Sequence, residues 1–228
     1  MNVLVTAGPT REAIDPVRYV SNRSSGRMGY AIAAAARAAG HAVRLVSGPV
    51  ALAPPAGIRP IRVVSAADML AAVKRNLRWC DLFVMAAAVA DWRPRTVARR
   101  KLKKRAGPPR ITWVPAPDIL QAIAPLKRKA QFFCGFAAET HDLAREAQRK
   151  LREKHLDAIA ANDVSQKNRG FESASNALTV YFASGRVERI GPAAKTQCAR
   201  RLLRVLTAPE KTGKNPREKK LQKKSKNS

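Results

Sequence analysis

The sequence predicts an α/β fold: a Rossmann-like, mostly parallel sheet with helices on both faces and a C-terminal hairpin. Short apolar runs rich in Val, Ile, Leu and Phe alternate with helical patterns, as in parallel strands buried on both sides. The first helical segment, Tyr30 to Ala39, is Ala-rich, which favours helix and lets it pack closely on a sheet. Near the end the alternation stops, and 177–182 and 186–190 flank Ala183-Ser184-Gly185, a hairpin signal.

In chain order, strands are expected at 2–6, 42–47, 59–64, 81–86, 131–136 and 157–161. Helices are expected at 28–39, 66–78, 118–125 and 141–154, and a last helix over 193–206 closes the fold. With 228 residues and 46% hydrophobic content, one domain over 1–207 can bury a good core. Residues 208–228 are Lys-, Asn- and Ser-rich and nearly free of apolar side chains, so they read as a basic disordered tail.

The formal net charge is +28, and 207–228 hold eight Lys or Arg against two Glu, so most of the excess is spread over the domain. A basic surface suits polyanions of every size. No RNA or DNA motif accompanies it, so nucleic acid is not the expected partner and most of the charge reads as solvated surface. Cys80, Cys134 and Cys198 are far apart and lack Cys-x-x-Cys spacing, which suggests buried thiols in a reducing compartment. The chain enters a strand at once without a charged leader and has no apolar run of membrane-spanning length. A cytoplasmic protein without a membrane partner is expected. His41, His141 and His155 are isolated and read as surface residues.

The most informative stretch runs from Ala7-Gly8-Pro9-Thr10-Arg11-Glu12 to Ser24-Ser25-Gly26-Arg27-Met28-Gly29, between the first strand and the first helix. The first amides of a helix lack internal partners and carry the positive end of its dipole, so phosphate is a natural occupant. Ser24 and Ser25 add hydroxyls, and Gly26 and Gly29 let a ligand approach the backbone. Neither a P-loop nor the Gly-x-Gly-x-x-Gly fingerprint is present, so the segment reads either as an anion site or as a turn. Its length, with Thr10, Arg11, Arg18, Asn22 and Arg23, favours function.

Ligands of such sheets gather at the carboxyl ends of the strands, near the switch in strand order. There Ala86-Ala87-Ala88 leaves room for a flat ring or sugar, and Asp91 can hold a divalent cation beside phosphates. The alternative is that the alanines pack under a helix and Asp91 caps a turn. The cationic run Arg99 to Arg105, ending at Gly107-Pro108-Pro109, reads as a flap over an anion or as solvated surface.

Seven co-ordered motifs extend this reading. They are Ala-Gly-Pro-Thr-Arg-Glu, Asp-Pro-Val-Arg-Tyr-Val-Ser-Asn-Arg-Ser-Ser-Gly-Arg-Met-Gly, Ala-Ala-Val-Ala-Asp-Trp-Arg, Lys-Leu-Lys-Lys, Pro-Asp-Ile-Leu, Gly-Phe-Ala-Ala-Glu-Thr and Ala-Asn-Asp-Val-Ser. Over about residues 2–206 the chain resembles the phosphopantothenoylcysteine synthetase (phosphopantothenate–cysteine ligase) family of coenzyme A biosynthesis. The resemblance implies a ligase that activates 4'-phosphopantothenate as an acyl nucleotidylate and hands it to the amine of L-cysteine. The Lys-Leu-Lys-Lys run is similar to that of bacterial members, which use CTP and Mg2+, so CTP is favoured over ATP. It also implies a homodimer. Bacterial members usually carry this unit as the second half of a bifunctional flavoprotein. No decarboxylase half is recognisable here, so no flavin is expected, and decarboxylation falls to a separate flavin-dependent enzyme.

Site residues follow from the resemblance. Asn22 matches the asparagine that contacts the acyl nucleotidylate, Arg18 an arginine of the same loop needed for activity, and Lys101 the flap lysine over the triphosphate. Ala86, Ala87 and Asp91 match the nucleotide segment, Asp91 acting through the metal, and Ser24, Gly26 and Gly29 at the helix start are expected to bind the nucleotide with them. Pro117, Asp118, Ile119, Leu120 and Phe136 match further nucleotide contacts, with Phe136 bordering the base. Lys150 and Lys154 match two nucleotide-binding lysines, spaced to share one helical face. Asn162, at a strand end, is expected to approach the substrates. Ala116 stands where the family often has Asn.

Two other readings are weaker. A nicotinamide oxidoreductase needs a tighter glycine fingerprint and an acidic residue after the second strand, where this chain has Ser47-Gly48-Pro49. A non-catalytic nucleic-acid-binding module would not need Asn22, Asp91, Lys101, Lys150 and Lys154 together.

Overall fold

A computed structural model describes residues 1–104, 107–139, 142–163 and 175–208. In chain order the elements are β1 (Asn2–Ala7), β2 (Arg11–Ala13), β3 (Tyr19–Ser21), α1 (Arg27–Ala38), β4 (Ala42–Ser47), β5 (Ile61–Arg62), α2 (Ala66–Leu77) and β6 (Leu82–Met85). They continue with β7 (Trp92–Pro94), β8 (Trp113–Pro115), α3 (Ile119–Ile123), β9 (Phe132–Glu139), α4 (Leu143–Glu153), β10 (Ala158–Asp163), β11 (Ser175–Phe182), β12 (Val187–Ala194) and α5 (Lys195–Thr207).

Eight strands form one sheet in the order β12-β11-β10-β9-β6-β1-β4-β5. From β10 to β5 every pairing is parallel, while β11 and β12 extend the sheet as an antiparallel hairpin. Side chains alternate across the pleat, so β1 sends Val3 and Val5 to one face and Leu4 to the other. On the first face they meet α1 and α5 through Ile32, Ala36, Cys198 and Leu202. On the second, Leu4, Phe83 and Phe133 pack under Met69, Val73, Ile119 and Leu151 of α2, α3 and α4. This two-faced core is the predicted α/β architecture.

The differences from expectation have local causes. The strand expected at 59–64 shrinks to β5, a two-residue edge strand after Pro60. The helix expected at 118–125 ends at Ile123 and tightens into a single 3-10 turn, Ala124–Leu126, because Pro125 lacks an amide to continue the ladder. The hairpin strands are longer than expected, and α5 begins at Lys195 where the extended backbone of β12 ends. Two small antiparallel ribbons, β2–β3 and β7–β8, organise the long polar loops. Ala208 ends α5, and the remainder of the expected tail lies outside the described residues.

Strand order reverses at β1, which has β4 on one side and β6 on the other. The loops leaving these strands therefore part at their carboxyl ends and open a crevice.

Candidate active site

The loops leaving β1 and β6 are bonded into one wall. Pro9 and Ala88 form an isolated parallel bridge, the Thr10 amide donates to the Ala88 carbonyl (3.1 Å), and the Ala88 amide donates to that of Gly8 (2.9 Å). Two fully buried threonines complete the join, Thr6 Oγ1 accepting from the Ala87 amide (3.2 Å) and Thr10 Oγ1 from that of Ala90 (3.0 Å). Buried hydroxyls are costly unless bonded, and here each satisfies an amide of the facing loop. Behind the wall, a Cβ on Gly48 would sit 1.9 Å from the Pro9 carbonyl oxygen, so only glycine fits. Glu12 of the same loop is buried, and its Oε1 accepts from the Ala66 amide (2.8 Å), which ties the loop to the start of α2.

Asn22 crosses the crevice. Its Nδ2 donates to the carbonyls of Ala88 (3.2 Å) and Val89 (3.0 Å), fastening the loop before α1 to the segment after β6. Gly26 caps α1 with φ of 75°, a left-handed conformation that favours glycine, and no side chain occupies the cap. The amides that open α1 are thus left to face the crevice.

A cavity of about 630 Å³ fills this crevice. Its walls include Asn22, Ser24, Gly26 and Gly29 from the approach to α1, and Ala86, Ala87 and Asp91 from the segment after β6. Pro117, Asp118, Ile119 and Leu120 come from the start of α3, Phe136 from β9, Lys154 from the end of α4 and Asn162 from β10. Residues drawn from motifs spread over 140 positions of sequence thus meet around one space. Asp118 Oδ1 caps α3 by accepting from the Gln121 amide (3.1 Å), while its Oδ2 pairs with Lys154 Nζ (3.0 Å).

Arg18, Lys101 and Lys150 lie outside the lining. The Arg18 guanidinium is held by Asp15 Oδ2 (2.7 Å) and donates to the Leu102 carbonyl (3.0 Å). Asp15 also accepts from the amides of Val17 (2.8 Å) and Leu102 (3.1 Å). The Arg18 hydrogen bond above all, with these amides, holds the Asp15 carboxyl well below the usual carboxylate range. Asp15 and Arg18 thus grip both backbone groups of Leu102, fixing the stretch next to the exposed Lys101. Lys154 closes the last turn of α4, its amide donating to the Lys150 carbonyl (3.1 Å), and its side chain is turned to Asp118.

Two polar lining residues were not legible in the sequence, Asn176 and Lys195. Lys195 opens α5, is only 7% exposed, and has its pKa lowered by burial and then by the Arg27 charge. The signal for it was slight: a lysine after Pro192-Ala193-Ala194, where the extended backbone stops.

All three cysteines are free and buried, and burial raises Cys80 to about 11 and Cys134 to about 12. Among the described residues no group of three or more His, Cys, Asp or Glu could hold a metal, and no helix is long and apolar enough to cross a membrane.

Comparison with known proteins gives the family. Residues 1–209 match the model for the DNA/pantothenate metabolism flavoprotein C-terminal domain. The chain is 50% identical over 186 residues to the coenzyme A biosynthesis bifunctional protein CoaBC of Vibrio vulnificus (strain CMCP6), covering 81% of this chain and 46% of that protein. The Bacillus subtilis (strain 168) CoaBC is 43% identical over 211 residues, covering 92% of this chain and 52% of the relative. The chain therefore spans about half the length of the curated relatives it matches. A crystal structure of the C-terminal domain of a CoaBC superposes with TM-score 0.76 at 41% identity, covering 90% of this chain and 92% of that one. A Cab2 variant in complex with phosphopantothenate-cysteine has the same fold at 15% identity and TM-score 0.73, covering 99% of this chain and 88% of that one. By motif, fold and sequence the chain belongs to the family of DNA/pantothenate metabolism flavoprotein C-terminal domains.

Proposed function

We propose that this chain is a phosphopantothenate–cysteine ligase of coenzyme A biosynthesis, using CTP and passing through an acyl cytidylate. One observation carries the reading: a single cavity at the sheet's switch point joins Asn22, Asp91, Phe136 and Lys154 with the uncapped start of α1. The names of its relatives and the family model support the same pathway.

A carboxylate is a poor acyl donor until its oxygen becomes part of a good leaving group. In the first step a carboxylate oxygen of 4'-phosphopantothenate attacks the α-phosphorus of CTP and pyrophosphate departs. In the second, the amine of L-cysteine attacks the acyl carbon, the new C–N bond forms, CMP leaves and the ammonium proton is lost. Both substrates are anions, so cations and oriented amides must offset their repulsion. The α1 amides with Ser24, Gly26 and Gly29, and Lys154 from the other wall, are suited to the phosphates. Ala86 and Ala87 leave room for a ring or sugar, with Phe136 beside the base.

Asn22 carries the second step in this reading. Its amide is anchored by two carbonyls of the facing loop, so it can hold the nucleotidylate in register while the amine attacks. Arg18 acts by holding the Lys101 segment to the loop, and Lys101 closes over the triphosphate. Lys150 reinforces the positive field of α4.

The donor set fits magnesium: Asp91 is one carboxylate at the cavity wall, and Mg2+ commonly takes one or two carboxylates with substrate phosphates and water. Asp91 would hold the ion, which supplies charge neutralisation at the triphosphate. Ligation needs no flavin, and its product, which still carries the cysteine carboxylate, suits a flavin-dependent decarboxylase as the next enzyme. The chemistry is that of a cytoplasmic enzyme. A homodimer is supported by Val17, Tyr19, Trp92, Val97 and Trp113, all exposed on or beside the two small ribbons.

The test is ligation with 4'-phosphopantothenate, L-cysteine, Mg2+ and each nucleoside triphosphate in turn, following pyrophosphate and product. CTP is expected to give the fastest pyrophosphate release. Equal turnover with ATP would overturn the nucleotide assignment, and no amide product with any triphosphate would overturn the ligase reading.

A further inference from the structure

An irregularity in the β11–β12 hairpin sets one buried side chain at the cavity wall. β11 runs antiparallel to β10, so its first residues lie at the carboxyl ends of the parallel strands, beside the crevice. Asn176 pairs with Ala193 and Leu178 with Ile190, which leaves Gly191 and Pro192 of β12 opposite the single Ala177. Such a bulge bends the ladder and re-aims the side chains beside it. Asn176 is 5% exposed and lines the cavity.

The hydrogen bonds of Asn176 divide unevenly. Oδ1 accepts from the Ala177 amide (3.0 Å), and the backbone carbonyl accepts from Cys198 Sγ (3.1 Å). Because Oδ1 is committed to a backbone donor, the side-chain nitrogen faces the other way. There Nδ2, with two N–H groups to offer, meets Met28 Sδ at 3.9 Å among the described residues. A thioether is a weak acceptor, and a buried amide donor that lacks a strong one is costly.

Met28 is the second residue of α1 and lines the same cavity. The Tyr30 amide makes the first bond of that helix, to the Gly26 carbonyl (3.1 Å), so Nδ2 points at a side chain of the turn whose amides precede it. An aspartate at 176 would hold the Ala177 amide equally well and would suit the positive end of α1. A neutral amide instead leaves the negative charge to a ligand and adds a donor to meet it. The ligand atom that fits is an anionic oxygen able to accept several bonds at once, as a phosphoryl oxygen does.

We propose that Asn176 is a phosphate-binding residue, its Nδ2 leaving the Met28 sulfur to donate to a phosphoryl oxygen seated at the start of α1. Which substrate carries that group rests on the ligase reading, which offers the nucleotide and 4'-phosphopantothenate.

The experiment titrates wild type, Asn176→Ala and Asn176→Asp calorimetrically with CTP, cytidine, 4'-phosphopantothenate and pantothenate, and records melting temperatures without ligand. Loss of one hydrogen bond to a charged group is expected to raise the Kd of Asn176→Ala about ten- to hundredfold for CTP or for 4'-phosphopantothenate. Cytidine and pantothenate should bind as they do to wild type. Asn176→Asp keeps the Ala177 bond, so it should melt as wild type does while losing more affinity, a pairing that a merely structural asparagine would not give. A loss confined to CTP assigns the nucleotide's phosphate, and one confined to 4'-phosphopantothenate assigns the acid's. Unchanged affinity for both, or an equal loss for the unphosphorylated counterpart, overturns the proposal. Should Asn176→Ala not fold, Asn176→Asp decides by the same criteria. If wild type binds the phosphorylated ligands but performs no ligation, the ligase reading falls and these titrations still decide the role of Asn176; if it binds neither, both fall.

Discussion

Gly29→Ala pits two known effects against each other at the wall of the site. Gly29 lies in the first turn of α1, and alanine in a helix is favoured over glycine by about 1 kcal/mol. On propensity alone the variant melts higher. The structure points the other way. A Cβ at 29 would lie 2.5 Å from the Ala7 Cβ, 2.9 Å from the Thr6 carbonyl oxygen and 3.0 Å from the Ala7 Cα. Ordinary contact begins at 3.4 Å, so α1 must retreat from β1 by about 0.9 Å. Both Thr6 and Ala7 are fully buried in a central strand and cannot give way, which puts the strain in the upper half of the about 1–3 kcal/mol typical of overpacking. The net loss is then about 1–2 kcal/mol, and a domain of this size melts roughly 2–8 °C lower. The retreat also moves Ser24 and Gly26 relative to Ala86 and Ala87, and a misplacement near 1 Å costs on the order of a hundredfold in turnover. Calorimetry and kcat/KM with CTP read both effects. A higher melting temperature with wild-type kinetics would refute the reasoning, because the close contact of α1 with β1 would then not set the site.

Three other outcomes test separate parts of the site. Asn22→Asp replaces a donor by an anion facing the carbonyls of Ala88 and Val89, so the crevice tie is lost and acyl cytidylate is expected to accumulate in quenched single turnovers. Unchanged turnover would remove Asn22 from its role. Lys101→Gln is expected to raise KM for CTP without changing the melting temperature, since Lys101 is exposed; wild-type kinetics would make the basic segment ordinary surface. Cys80 and Cys134 are raised in the folded state to about 11 and about 12 against an ordinary value of 9.0, so above pH 9 the unfolded chain releases protons that the native one keeps. Stability should be flat in these groups below pH 9 and fall from there through pH 11–12, together with slow native-state labelling by a thiol reagent; rapid labelling at neutral pH would contradict their burial.

The central sheet was legible because its inner parallel strands, such as Leu82–Met85, are short runs of buried apolar residues. The ribbons β2–β3 and β7–β8 were not, because each strand has only three residues, too few for an apolar alternation to show, and three of the four carry Arg, Glu or Pro. The site followed the same division. Ser24 to Gly29, Ala86 to Asp91 and Pro117 to Leu120 follow the ends of strands, two of them running into helices, and position along the chain was enough to find them. Lys195 and Asn176 were hidden because their burial arises from α5 folding back on α1, a contact between chain segments about 170 residues apart that no local pattern encodes. Arg18 was found as a residue but not as a relation, since its grip on Leu102 depends on how the two loops lie together.

The interlocked turns after β1 and β6 make the entrance a single rigid lintel rather than two independent lips. Opening either one would break the backbone hydrogen bonds from Thr10 to Ala88 and from Ala88 to Gly8 and strip two interior hydroxyls of their partners at the same time. Any movement that widens the crevice therefore costs least elsewhere around its rim.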